Sequence, residues 1–195
     1  MLRIGRPVKI TKHTIAAKCI ELYWKKGIQN VTYNAAINYS GCSKGTVYKL
    51  FKSEDELHLN TLEYYYENKL KRIEYELIKN NDVVNFIEFL FKSIDSSGCY
   101  YILTNSNRNL LGKLSKAYLI KKEKIWIKLL CNLILRHINN YKIYVKNLDV
   151  LSLAVYLMHN ITLINIMKHN KNKSKDCVII KEAIIEKISS SLKNT

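Results

Sequence analysis

Proline is nearly missing from this chain: 195 residues contain one, Pro7. After it, nothing carries the residue that most strongly breaks helices, so an all-α chain is expected. Glycine is scarce too, with six residues, and two of them, Gly41 and Gly45, stand four positions apart. Acidic residues are missing from one region only. Residues 1–52 hold ten basic side chains (Arg3, Arg6, Lys9, Lys12, Lys18, Lys25, Lys26, Lys44, Lys49, Lys52) and a single acid, Glu21. The total charge is +16, and this first quarter supplies +9 of it. Such concentration points to a polyanionic partner, either nucleic acid or an anionic membrane surface. A general richness in Lys, Asn, Ile and Tyr accounts for some of the lysine, but not for the missing acids.

Other absences narrow the function. The cysteines (Cys19, Cys42, Cys99, Cys131, Cys177) are odd in number and far apart. No pair has metal-ligand spacing, so neither a metal nor a disulfide framework is expected, and a reducing cytoplasm is. The start, "MLRIGRPVKI", lacks the apolar core of a signal peptide. The most apolar window, "VLSLAVYLMHNITLINIM" at 150–167, is interrupted by His159, Asn160 and Asn165 and is marginal for a bilayer. It reads as a buried helix. No HExxH, GxSxG or CxxC occurs, and "GCSKGT" lacks the glycine spacing and Lys-Ser/Thr ending of a phosphate loop. An enzyme is not expected, nor is a cofactor.

Helices are marked by their caps and their apolar period. One spans 11–26, with Ile15, Cys19, Leu22 and Tyr23 on one face and Gly27 as its stop. Thr32 caps a short helix to about Tyr39, Gly41 makes a turn, and Ser43 caps a third to about Leu50. Ser53 opens a long helix to about residue 80, beginning with three acids. Asp82 caps one to about Ile94, and "DSSG" at 95–98 interrupts. A short helix follows near Cys99, then a long one over about 107–139, a connector "HINNYKIYVKN", and helices at 148–169 and 175–192.

Three short helices, the last two joined by a glycine turn, make a helix-turn-helix reading. Gly45 falls in the first turn of the third, where glycine costs about 1 kcal/mol of helix propensity. That cost makes sense if the backbone there must approach another surface closely. Around it, Ser43, Lys44, Thr46, Tyr48, Lys49 and Lys52 offer donors to phosphates or bases. The bland reading, with Ser43 only capping and Tyr48 only packing, stays open on these grounds alone.

Residues 11–60 resemble the DNA-binding domain of TetR-family transcriptional regulators. The matched frame is Gly27-Ile28, Val31-Thr32, then "SGCSKGTVYKLFKS" at 40–53 and the acidic run ending at Leu57. "GRPVK" at 5–9 resembles the basic arm that often precedes this domain. The chain departs from the family pattern with Ala36-Ile37 where Ile-Ala is usual, Ser40 before the turn glycine, and Cys42 in place of valine. All are volume-tolerant changes.

The resemblance implies roles. Thr32 would cap the second helix and touch phosphate, and Lys44, Gly45 and Thr46 would face the major groove. Tyr48 and Lys49 would contact phosphate or groove edge, and Lys52 would clamp phosphate, while Val47, Leu50 and Phe51 would be core. It also implies two domains, a reading head at 1–52 and an effector-binding and dimerisation domain at 53–195, in a homodimer on a palindromic double-stranded DNA operator. A repressor released by a small-molecule effector is the expected mode. "SSGCYYILTN" at 96–105 is similar to a stretch after the family's fifth helix.

Candidate effector residues are Phe89, Tyr101, Tyr118, Trp126 and His159, all on helices that would line a cavity, although aromatic residues at this spacing more often belong to a packed core, and His159 suits a core or interface histidine equally. The apolar stripe Ile180, Ile184, Ile185, Ile188 and Leu192 is the expected dimer interface; in a monomer it would be core. The competing reading is a basic protein on an anionic membrane, with "KHTIAAKCIELYWKK" as an interfacial helix. Membrane binding would not need the fixed turn-and-helix frame, and no membrane is expected as partner.

Overall fold

The computed structural model describes residues 10–94, 98–144, 148–170 and 174–192. "GRPVK", most of "DSSG" and part of the connector lie outside them. Ten α-helices follow in order: α1 (Lys12–Lys26), α2 (Tyr33–Ser40), α3 (Lys44–Leu50), α4 (Glu54–Tyr65), α5 (Lys71–Lys79), α6 (Val83–Ser93), α7 (Tyr100–Ser106), α8 (Lys113–Asn140), α9 (Val150–His169) and α10 (Ser174–Ser191). No strand occurs among the described residues. The fold is all-α.

Helices α2, α3, α4 and α6 start where a side-chain oxygen replaces a missing backbone acceptor. Thr32, Ser43, Ser53 and Asp82 each accept from the amide three residues on, at Ala35, Thr46, Glu56 and Asn85. Phe51 and Leu57, both fully buried, flank the α3–α4 junction and tie the three-helix head to the rest. From there α4 packs on α1 along one side and on α8 along the other. It therefore belongs to the head and the body at once. The expected single helix over 53–80 is one rod with a wider π-type turn at Tyr66–Leu70 between α4 and α5. Tyr66 and Leu70 in that turn are buried, so the irregularity serves to keep both facing the core.

The long helix begins at Lys113, not near 107, because its cap comes from a different helix. Asp55, in the first turn of α4, accepts hydrogen bonds from the amides of Leu114 (2.8 Å) and Ser115 (3.1 Å) and from the Ser115 hydroxyl (2.6 Å). The N-cap position is Gly112, where a Cβ would stand 2.2 Å from the Asp55 carboxyl carbon. Glycine is what lets the carboxylate reach the helix end. Burial works against the Asp55 charge, but the bonds from Ser115 and Leu114 outweigh it and hold the carboxyl below its ordinary range. Asp55→Ala leaves the Leu114 and Ser115 amides without acceptor, while the Ser115 hydroxyl keeps the Asp55 carbonyl (3.2 Å), and should cost about 1–2 kcal/mol, read as a lower urea midpoint with an unchanged slope.

The last two helices correct the expected dimer interface. Ile184, Ile188 and Leu192 are buried within the single chain, at 2%, 0% and 4% exposure, and Ile180 is half-buried. The stripe covers the chain's own core, where α10 packs on α9 and α6. Periodicity shows that a helix has an apolar face but not which neighbour covers it. The faces left outside carry other apolar residues: Leu151 and Leu163 on α9, Val178 and Ile179 on α10. α9 is the one described helix long and apolar enough to cross a bilayer, yet it buries Leu153, Ala154, Leu157 and Ile164 against its neighbours. It is covered on one side only, not buried throughout.

Candidate nucleic-acid interface and internal cavity

The head is built around α2 and α3. Ala36, Ile37, Val47 and Phe51 are fully buried and lock the two helices together, so the Ala36-Ile37 order fits without a gap. Ser40 is also fully buried, and its hydroxyl donates to Ile37 O (2.6 Å) and accepts from the Cys42 amide (3.2 Å). Gly41 takes a left-handed φ of +68° that ends α2, and Lys18 donates to Ser40 O at 2.9 Å beside it. Lys18 is thereby used as a helix cap. Lys12 pairs with Glu56, and Lys25 with Glu21. Among the described residues, Lys26, Lys44, Lys49 and Lys52 carry neither a salt bridge nor a cap bond from their ammonium groups, although the Lys52 charge helps hold the Glu56 carboxyl below its ordinary range.

Three of those four sit together. With Val47 turned inward, the helical period of α3 turns Lys44, Gly45, Tyr48 and Lys49 outward, and Lys52, just past the helix end at Phe51, is exposed with them. Ser43, also exposed, shares a 2.8 Å hydrogen bond with Thr46, which is half-buried. Thr32 is exposed at the start of α2. A Cβ placed on Gly45 meets no atom of the protein within 4 Å. Nothing inside the chain requires glycine there.

Tyr48 is held rather than loose. Its ring meets Tyr33 edge-on at 5.6 Å, and its hydroxyl donates to Asn34 Oδ1 at 3.4 Å. Tyr33 in turn donates to Phe51 O at 3.2 Å. Exposed Asn34 therefore joins this face, a residue that sequence reasoning did not select. Its only signal was its position two after the capping Thr32.

A cavity of about 60 Å³ lies in the body between α5, α6, α7, α8 and α9. Tyr101 and Trp126 stand in its wall, with Leu70, Phe86, Leu90 and Met158. The other expected effector residues do not line it. Phe89 packs half-buried beside Phe86, and Tyr118 meets Tyr66 edge-on at 6.5 Å. His159 is exposed and lines a separate outer groove with Asn105, Arg108, Glu123 and Met158. A helix period places these side chains on α6, α8 and α9, but the rotation of each helix decides which point inward.

No protein-family model matches this sequence, and no curated relative matches it. Solved structures do. Reduced NemR from E. coli superposes with a TM-score of 0.76 at 16% identity, covering 95% of this chain and 98% of that one. The TetR-family regulator CifR, as a cysteine mutant complexed with 26-bp double-strand operator DNA, gives 0.69 at 14% identity over 96% and 98%. This is the TetR fold. Another structure with it, the regulator FadR from Bacillus subtilis in complex with stearoyl-CoA, scores 0.65 at 14% identity over 91% and 97%. Nearly the whole chain takes part in each match, so the TetR fold describes head and body together.

Proposed function

We propose that the protein is a sequence-specific DNA-binding transcriptional repressor, acting as a homodimer on a palindromic operator and released by a small-molecule effector. The observation that carries this reading is Gly45: a helix-weakening residue in an exposed first turn, with open space around it and the exposed Lys44, Lys49 and Lys52 nearby in the chain. Lys44, Gly45 and Thr46 would enter the major groove. Thr32, Ser43, Tyr48, Lys49 and Lys52 would hold phosphates on either side, with Asn34 fixing Tyr48. An interfacial membrane helix is disfavoured, since α1 spends Ile15, Cys19, Leu22 and Tyr23 inside the chain and pairs or caps with three of its lysines. The protein would act in the cytoplasm, and no catalytic role is proposed.

The dimer would form through the outward faces of α9 and α10, around Leu163 and Ile179, which would set the two heads about 34–36 Å apart for successive grooves. An effector in the cavity would act through α4, the helix shared by head and body, with the Asp55 bond to α8 as the rigid link. Coupling of about 1–3 kcal/mol would suffice to release the operator. Lys52→Ala tests the phosphate role. It should weaken binding to all duplexes alike and reduce the slope of log affinity against log salt by about 0.9. A changed sequence preference with an unchanged slope would remove Lys52 from the backbone contacts.

A further inference from the structure

The cavity is lined by no ionisable side chain except Tyr101 and Cys99, and two of its lining residues, Asn165 and Tyr101, each carry a buried oxygen without a hydrogen-bond partner among the described residues. Asn165 is fully buried; its amide nitrogen donates to Ile161 O at 2.8 Å, which leaves Oδ1 without a donor among the described residues. The Tyr101 hydroxyl, on a residue 3% exposed, is also unpartnered, and burial pushes its pKa up, so it stays neutral. Polar groups left this way inside a protein are uncommon and call for a partner. An amide oxygen can only accept, so the missing partner is a donor.

Size adds a second constraint. At about 60 Å³ the cavity is well below the roughly 150 Å³ that admits benzene in an apolar protein interior. Met158 lines both this cavity and the outer groove, which measures about 320 Å³. Methionine is unbranched with three rotatable bonds, so it can swing aside where a branched residue could not. The groove repeats the same chemistry: Asn105 Oδ1 is buried there without a donor. Arg108 and Glu123 in the groove are bonded to each other. Either sign of charge placed there would meet a like charge, Glu123 for a carboxylate and Arg108 for an ammonium, and the remaining titratable side chain of the groove, His159, lies at its exposed edge.

We propose that the effector is an uncharged, mainly apolar molecule carrying a hydroxyl or amide N–H donor, and that it enters from the outer groove by displacing Met158. This rests on the cavity being the effector site. A charged group would lose its hydration among apolar walls without an opposite charge to replace it. A donor-bearing one satisfies acceptors that the chain leaves open.

Four six-carbon probes separate the possibilities: 1-hexanol, pentyl methyl ether, hexanoate and hexylamine at neutral pH, titrated into the full-length protein by calorimetry. The alcohol should bind about tenfold more tightly than the ether, and more tightly than either ion. Asn165→Leu and, independently, Tyr101→Phe should shrink the preference of alcohol over ether, with circular dichroism melts confirming folded variants. Met158→Trp should block all four. Equal binding of alcohol and ether overturns the donor requirement, and tighter binding of either ion overturns the uncharged class, while both leave the cavity reading standing. Undiminished binding to Met158→Trp overturns the entry route. Failure of every probe on the wild-type chain overturns the cavity reading itself.

Discussion

Gly45→Leu is expected to abolish operator binding, by more than about 100-fold, while the protein folds as well as before or better. The two halves of this result come from one geometry. Inside the chain a Cβ at position 45 touches nothing, so the new side chain strains no neighbour. Its backbone is not in the left-handed region, and glycine is among the worst residues within a helix. Leucine there should therefore add about 0.5–1 kcal/mol of stability. Outside the chain the same side chain would stand between α3 and the duplex, next to Lys44 and Tyr48. A wedge of that size would separate the proposed phosphate contacts on both sides from their partners. Gel shift against operator, with urea denaturation as the companion measurement, reads both effects. Normal affinity in the variant would mean that this face does not approach a surface. Reduced stability would mean that the glycine serves the fold.

Acid should destabilise the protein well above the pH at which its carboxylates titrate, and His58 is the reason. Its ring is buried in α4 against Tyr23, edge to face at 5.0 Å, and its Nε2 has no hydrogen-bond partner among the described residues. Burial pushes its pKa down from 6.5 to about 4, and Asp55 nearby pulls the other way without recovering the loss. The folded chain then keeps His58 neutral while the unfolded chain takes up a proton from pH 6.5 downward. Stability present above pH 6.5 is lost progressively until pH 4, by about 3 kcal/mol in full and about 2 kcal/mol at pH 5. His58→Phe keeps the aromatic contact and removes the proton site. Its unfolding free energy should be nearly flat between pH 7.5 and 5, where the wild type falls. An unchanged slope in the variant would assign the pH dependence to another group.

The parts of the fold that were legible in the sequence are those decided locally. Thr32, Ser43, Ser53 and Asp82 cap helices with their own oxygens three residues ahead, and the outward set on α3 follows from the apolar Val47 facing the core. What was not legible depends on partners far along the chain. The start of α8 is set by Asp55, some sixty residues earlier, and no local cap marks it. Ile184 and Ile188 look like an interface until α6 and α9 are seen to cover them. His159 interrupts an apolar run, which suggested a polar spot in a cavity; the rotation of α9 places it outside. Lysine counts misled in a similar way, since Lys12, Lys18 and Lys25 are spent on Glu56, Ser40 and Glu21.

Sequence-specific recognition of DNA by paired heads is the central claim, and selection from a random duplex library tests it most directly. Purified protein should recover a palindrome whose half-sites lie one helical turn apart, about 10–10.5 bp centre to centre. Mutating Gly45 to leucine should leave no enrichment. Recovery of duplexes without shared sequence, or of none, with and without added effector probes, would contradict the account and reduce the basic head to a general polyanion surface.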